Sequence, residues 1–270
     1  MTHYLKLLAL EVRRFRYILA GMMLFALIVE CLAVATEIHF FSNRFGIKEG
    51  TREPGVIPDT LSFVEVIRNT QQGFALGILV PLVALIAYVL LIWYRDWFGR
   101  HPFAYRLLMV PGGRIPLYFA KLTAILLFVL SMLAWQLLSM PILKLEYAML
   151  TPELLKEPSI FTDAMYASEL FKLLLPLRFE QFLINYGLGL LAVLLVFTGI
   201  LLERSFRISG IVYAVLYLAL NVTLLVLATM SNELPLYPSE TIAVCLTIYG
   251  LEVAVALWLS LNLITRKVSG

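Results

Sequence analysis

Charged side chains are scarce in this chain. Asp, Glu, Lys and Arg make up 14% of its 270 residues, whereas an ordinary soluble domain carries about 25%. A soluble protein of this size covers its surface with charge, so the shortage indicates that most of the surface faces something other than water. Apolar residues fill 61% of the chain, and this composition predicts a protein that lies in a lipid bilayer.

Cysteine and histidine are also scarce, with two and three copies. Cys31 and Cys245 both fall within apolar stretches, which favours a packing role over a disulfide. His3, His39 and His101 form no H-E-x-x-H motif, and the chain contains no G-x-S-x-G motif. The sequence therefore predicts no catalytic residue and no metal site, and it argues against an intramembrane enzyme.

Long apolar runs, by contrast, are abundant. A helical run of about 20 apolar residues is long enough to cross a bilayer. Six runs reach that length, and they cover residues 17–36, 73–93, 117–140, 182–202, 209–230 and 240–264. Only residues 203–208 separate the fourth and fifth runs, which predicts a tight helical hairpin. The predicted fold is an all-α membrane protein with six transmembrane helices, organised as a single domain over residues 1–270.

The segment before the first span, residues 1–16, has the pattern of an amphipathic helix. Apolar residues such as Leu5 and Leu8 recur at helical spacing, opposite basic residues such as Arg13. This pattern predicts an interfacial helix on the inner membrane surface. A basic leader followed by Ala33-Val34-Ala35 also fits a signal-peptide cleavage site, but the apolar run is longer than a signal core, so retention is expected.

The distribution of charge around the spans predicts an orientation. If the N-terminus is cytoplasmic, the cytoplasmic segments hold twelve basic and three acidic residues, and the outer segments hold eight basic and thirteen acidic ones. Basic residues concentrate on the cytoplasmic side of membrane proteins. Both termini are therefore expected in the cytoplasm. The overall net charge of +3 hides this segregation and does not indicate a nucleic-acid partner.

The connection between spans 2 and 3 is cationic and rich in aromatic residues. It contains a predicted short helix at residues 102–109, which Pro111-Gly112-Gly113 ends. Apolar residues on a cytoplasmic loop either enter the membrane interface or dock on a partner. The residues themselves favour neither outcome over the other.

This connection resembles that of a known family. The run from Leu107 through Pro111 to Arg114, with Lys121 early in the next span, resembles the type-2 permeases of ATP-binding-cassette (ABC) exporters. The motif covers residues 95–121, and the layout of an interfacial helix before six spans covers the whole chain. In that family the helix after span 2 is a coupling helix, which seats in a groove on a separate ATPase subunit.

The resemblance implies partners and a location. This chain contains no G-x-x-x-x-G-K-[ST] motif, so it is not expected to be an enzyme itself. ATP and Mg²⁺ would instead be bound by the ATPase subunit, which the resemblance implies is present in two copies. A second permease chain, identical or related, would complete the path across a bacterial plasma membrane. The outer connection at 231–239 is too short for the re-entrant helices of many polysaccharide and lipid exporters. A peptide, an antibiotic or a small amphiphile is therefore the expected cargo.

The resemblance also assigns residues to the ATPase contact. The implied ATPase-coupling residues are Phe103, Tyr105, Arg106, Leu107, Leu108, Pro111 and Arg114. For Arg114, anchoring beside lipid phosphate groups is an equally good explanation.

Polar residues inside the spans are the remaining candidates. Glu30 and Glu252 would face each other or a shared cavity if the first and last spans pack together, and Gln136 and Asn221 would supply interhelical hydrogen bonds. The two glutamates leave open a proton-coupled secondary transporter, although the two related halves usual in such proteins are not found. A non-transporting regulatory membrane subunit is the other alternative.

Overall fold

A computed structural model of the chain describes residues 2–44, 60–97, 114–230 and 238–266. Helix dominates this part of the chain. Six helical segments are long and apolar enough to cross a membrane, and they are Tyr4–Asn43, Gln71–Arg95, Ile115–Leu150, Phe179–Phe206, Ser209–Leu227 and Leu246–Thr265. The prediction of an all-α, multi-pass membrane protein with six spans is confirmed.

The helices extend beyond the apolar runs that predict them. In chain order the elements are α1 (Thr2–Arg44), β1 (Leu61–Ser62), α2 (Phe63–Asn69), α3 (Gln71–Trp97), α4 (Ile115–Leu150), a 3₁₀ turn (Glu153–Leu155), β2 (Lys156–Glu157), α5 (Phe161–Met165), α6 (Glu169–Leu174), α7 (Phe179–Met230) and α8 (Pro238–Arg266). Apolarity marks only the part of a helix that matches the bilayer, whereas the backbone hydrogen bonds continue into the polar flanks.

Helix α1 is continuous from Thr2 to Arg44. The structure therefore does not separate the predicted interfacial helix, residues 1–16, from span 1. The reason is local: no proline or glycine occurs before Gly21, and most of the preceding residues are good helix formers. The first turns of α1 also depart from the amphipathic pattern, in which every charged residue would be exposed, because Glu11 is buried.

Helix α7 folds back on itself between its two spans. A Cβ atom placed on Gly199 would lie 3.5 Å from Leu218 Cδ1, whereas a straight helix would separate these positions by about 28 Å. At the bend, a Cβ on Gly210 would lie 2.5 Å from Leu202 O and 2.6 Å from Glu203 O. The predicted hairpin of spans 4 and 5 is confirmed, and it depends on the absence of a side chain at Gly210.

The chain packs as two compact units. Unit 1 consists of Met1–Arg13, Ile86–Leu126 and Leu183–Gly270, and unit 2 consists of Arg14–Leu85 and Leu127–Phe182. In unit 1, the buried rings of Trp93, Tyr118 and Phe197 pack against one another, with centroids 5.4–6.4 Å apart. This aromatic cluster joins α3, α4 and the first arm of α7.

Unit 2 contains a second core, in which the described segments between spans 1 and 2 and between spans 3 and 4 pack on α1 and α4. Val34, Phe63, Met140 and Phe171 are among its buried members. Helix α2 begins after Ser62, whose hydroxyl caps it by accepting a hydrogen bond from Glu65 N at 3.2 Å. Strands β1 and β2 are two-residue segments paired in parallel.

The bend in α7 generates a stability prediction. We expect Gly210→Ala to lower the melting temperature of the purified protein, because the new methyl group would press on two carbonyl oxygens and the backbone would have to move. The matched control is Gly189→Ala on the same helix, where nothing lies within 4 Å of the added atom. A melting temperature that is unchanged in both variants would show that the bend tolerates a side chain.

Candidate functional site

The carboxylate of Glu11 forms the first polar centre, in unit 1. Its Oε2 accepts a hydrogen bond from Arg95 Nη2 at 2.6 Å, and its Oε1 accepts one from Lys121 Nζ at 3.4 Å. The side chains of Glu11 and Lys121 are 3% and 1% exposed. One acid near the start of α1 therefore binds a base near the end of α3 and a base near the start of α4.

Lys121 is further held by the end of α3. Its ammonium group donates to Ile92 O at 2.6 Å and lies 5.1 Å from the centroid of the Trp93 ring. Tyr88 adds a long hydrogen bond of 3.5 Å to Glu11 Oε2. A buried ammonium is stable only when opposite charge and acceptors surround it, and here both are present.

This ion cluster lies at the two ends of the loop between spans 2 and 3. Arg95 comes just before that loop and Lys121 shortly after it. Arg114, at the beginning of α4, is half-buried, and its Nη1 donates to Ile264 O on α8 at 3.1 Å. Both ends of the loop are therefore attached to helices of unit 1.

Most residues that the family resemblance assigns to the ATPase contact lie outside the described part of the chain. These are Phe103, Tyr105, Arg106, Leu107, Leu108 and Pro111. Arg114 is described, and its bond to Ile264 O gives it a structural role within unit 1. Its assignment as an ATPase contact stays a prediction.

Glu30 forms a second polar centre, in unit 2. It is 0% exposed, and its Oε1 accepts a hydrogen bond from Gln136 Nε2 at 2.5 Å. A Cβ on Gly77 would lie 3.0 Å from the same oxygen, so α3 passes close to this side chain. The predicted interhelical bond of Gln136 is thus found, with Glu30 as its acceptor, and Glu30 is tightly packed between three helices.

Glu252 forms a third polar centre, in unit 1, and it differs from the other two. It is 5% exposed, and neither carboxylate oxygen has a hydrogen-bond partner among the described residues. The Tyr217 hydroxyl interacts electrostatically with it. Because Glu30 belongs to unit 2 and Glu252 to unit 1, the predicted pairing of the two glutamates stays a prediction.

Asn221 does not behave as the sequence predicts. Its amide donates to Tyr217 O, one turn earlier in the same helix, at 2.7 Å. The structure gives it an intrahelical bond in place of the expected interhelical one, because a short Asn side chain reaches the carbonyl one turn back. Thr198 and Ser260 instead join α7 to α8, with hydroxyl oxygens 2.7 Å apart.

The pairing of Glu11 with Lys121 is the main feature that the sequence analysis misses. A signal for it exists, since Lys121 is the one basic residue within the six predicted spans and Glu11 is the one acid in residues 1–16. A lysine inside a membrane requires a compensating group. The sequence cannot show which acid supplies it, because that depends on which helices meet.

The described residues contain no group of three or more His, Cys, Asp or Glu side chains that could hold a metal ion. No known family, curated protein or solved structure matches this chain.

The ion cluster generates a double-mutant prediction. Glu11→Gln leaves Lys121 buried without its counter-charge, and a broken buried ion pair costs about 3 kcal/mol. We expect Glu11→Gln combined with Lys121→Met to recover most of that loss, because no uncompensated buried charge remains once Arg95, 36% exposed, turns to solvent. The measurement is chemical unfolding of the purified protein in detergent.

The control for this cycle is an ion pair at the surface. Lys172→Met removes the partner of Glu169 in a pair of exposed side chains, and such pairs contribute little to stability. If the double variant of Glu11 and Lys121 loses as much as the two single variants together, the pair is not energetically coupled and the cluster is not a unit.

Proposed function

We propose that this chain is the membrane-spanning permease subunit of an ABC exporter. It forms, with a second permease chain, the path for a peptide, an antibiotic or an amphiphilic small molecule, and a separate ATPase subunit drives it. The observation that carries the proposal is the attachment of both ends of the loop at residues 98–113 through Arg95, Lys121 and Arg114.

An attached loop transmits force, whereas a free loop absorbs it. Glu11 ties the start of α1 to the end of α3 and the start of α4. Separating these charges within a poorly polar interior is costly, because Coulomb energies rise as the effective dielectric constant falls. A displacement of the loop therefore moves three helices of unit 1 together.

The residues of the loop suit contact with a protein. In the proposal, the loop contacts a groove on the ATPase. The apolar contacts come from Phe103, Tyr105, Leu107 and Leu108, and the charged contact comes from Arg106. Large apolar side chains and arginine are enriched at the centres of protein interfaces. ATP and Mg²⁺ are bound by the ATPase, and this chain conveys the motion.

The orientation follows from this assignment. The loop meets an ATPase only if it is cytoplasmic, which places both termini of the chain in the cytoplasm and residues 141–181 outside. The excess of basic residues on the same side supports this placement. The plasma membrane of a bacterium is the proposed location.

A proton-coupled transporter is the second candidate, and one observation favours it. Glu252 lies buried with both carboxylate oxygens unpartnered among the described residues. Carboxylates at the centre of a membrane protein serve as proton carriers in many pumps and transporters. A chain that works without any ATPase, and whose transport follows a proton gradient, would fit this candidate instead.

The ATPase contact can be tested by co-purification. We expect the tagged chain, expressed with its genomic neighbours and extracted in mild detergent, to retain an ATPase in stoichiometric amount. Two variants should each abolish retention of the ATPase. Leu107→Asp places a charge in an apolar contact, and Arg106→Glu replaces a positive charge in the contact by a negative one. Mass spectrometry of the bound proteins provides the measurement.

The matched control reverses a charge on the other side of the membrane. Lys172→Glu alters an exposed residue in the proposed outer segment, and it should leave retention unchanged. An ATPase that stays bound to both loop variants would remove the loop from the contact. A preparation with no ATPase at all would contradict the exporter assignment.

The orientation can be tested by cysteine labelling. In a chain with Cys31 and Cys245 replaced by alanine, we expect Lys172→Cys to react with an impermeant maleimide in intact cells. Lys6→Cys, exposed near the start of α1, should react only after the cells are opened. The reverse pattern would place the loop at 98–113 outside and rule out an ATPase contact.

A further inference from the structure

The segment between spans 3 and 4 ends in a short apolar stretch, residues 173–179, which leads directly into the fourth span. Within it Leu173, Leu177 and Phe179 are 61%, 78% and 75% exposed. Large apolar side chains that are exposed next to one another mark a surface that something outside the chain covers. The stretch is therefore a contact surface, and its position in the molecule indicates for what.

The same stretch is also attached to the core of unit 2. Phe171, just before it, is fully buried in the second core, and Leu175 packs against that core. Leu173 and Leu177 alternate with these two residues along the chain and are exposed. One set of side chains thus holds the stretch to the protein, and the other set faces the surroundings of the protein.

The depth of the stretch in the membrane follows from the length of the fourth span. That span has 28 residues, Phe179–Phe206, and a helix of this length measures about 42 Å. A bilayer with both headgroup regions is about 40–45 Å thick, so Phe179 lies at headgroup depth. Leu177 comes two residues earlier, and two residues reach at most about 7 Å. The exposed leucine therefore lies at or close to the same depth.

The residues of the stretch have the chemistry of a membrane interface. Leucine and phenylalanine side chains enter the boundary between headgroups and acyl chains. Arg178, which is exposed, suits phosphate groups, because arginine lays its hydrocarbon stem along apolar surface and extends its charge towards the headgroups. Glu180, also exposed, lies in the first turn of α7, where the helix dipole favours an acid.

A protein partner fits the stretch less well than lipid does. A stable protein interface takes about 20–30 residues from each side. The exposed apolar set here consists of three large side chains on one short stretch of chain. Lipid has no such size requirement, since each side chain that leaves water for the membrane interface contributes by its own buried area.

We propose that residues 173–179 form an interfacial anchor. Leu173, Leu177 and Phe179 insert into the headgroup region of the bilayer, and Arg178 contacts the phosphate groups of phospholipids. The anchor holds the second core of unit 2 at the membrane surface. It is independent of the exporter assignment, because it requires neither an ATPase nor a particular orientation of the chain.

Spin-label accessibility tests the anchor. The full-length chain with Cys31→Ala and Cys245→Ala carries a nitroxide on Leu177→Cys and is reconstituted in phosphatidylcholine vesicles. Molecular oxygen meets a nitroxide mainly in lipid, whereas the polar complex nickel ethylenediaminediacetate meets it mainly in water. We expect the ratio of oxygen to nickel accessibility at Leu177 to exceed that of the control by about threefold or more, because polar solutes are costly to transfer into lipid.

The matched control is Thr162→Cys on α5, labelled in the same cysteine-free chain. Thr162 is exposed as well, and it lies in the same segment between spans 3 and 4 but well separated along the chain from both of them. Since one nitroxide is used at both positions, any preference of the label itself for lipid cancels from the comparison. Both positions are exposed, so neither substitution removes a core contact.

The possible results separate lipid from the other occupants of the surface. A higher ratio at Leu177 supports the anchor. An equal ratio at the two positions would overturn it, because the stretch would then be no closer to lipid than α5 is. Low accessibility of Leu177 to both reagents would also overturn it, since a protein surface, such as a second copy of the chain, would then cover the stretch.

Discussion

Lipid offers no hydrogen bonds, and most of the described polar contacts between helices follow from that constraint. A polar side chain buried within a span must find its partner on another helix or on its own backbone. Glu30 finds Gln136, Lys121 finds Glu11 and Ile92 O, and Asn221 finds the carbonyl of Tyr217. Each of these hydrogen bonds or ion pairs fixes how closely two segments approach. The few polar residues therefore determine which of many possible apolar packings is formed.

The same constraint links stability to the proposed mechanism. Glu11 lies far from the loop in sequence order, yet it binds a residue on each side of it. An apolar contact at this place would allow the helices to slide, because dispersion is not directional. A buried ion pair resists sliding, since any shift leaves a charge without its partner. The arrangement that compensates Lys121 thus also holds the residues that flank positions 98–113, on α3 and α4, to the start of α1.

The sequence predicts the six spans well because span length and apolarity are set by the bilayer and are visible residue by residue. It predicts the hairpin of spans 4 and 5 for a similar local reason, since residues 203–208 are too few for any other path. Pairings between distant segments are different. That Gln136 binds Glu30, or that Lys121 binds Glu11, depends on helix rotation and approach, which sequence spacing does not encode. The continuity of α1 is missed because a change of surface pattern at residue 17 resembles a boundary, although no residue there ends a helix.

Glu30 and Glu252 look alike in the sequence, since each is the one acid deep within an apolar run, and only packing distinguishes them. Beside Glu30, Gly77 allows a third helix to approach and Gln136 donates to the carboxylate. Beside Glu252, no described group forms a hydrogen bond with either carboxylate oxygen. A protein that needed only packing at position 252 would be better served by leucine, because an unbalanced buried acid costs stability and contributes none. Retaining such an acid is reasonable where it takes part in function, and carrying a proton, as in the second candidate function, is one such role.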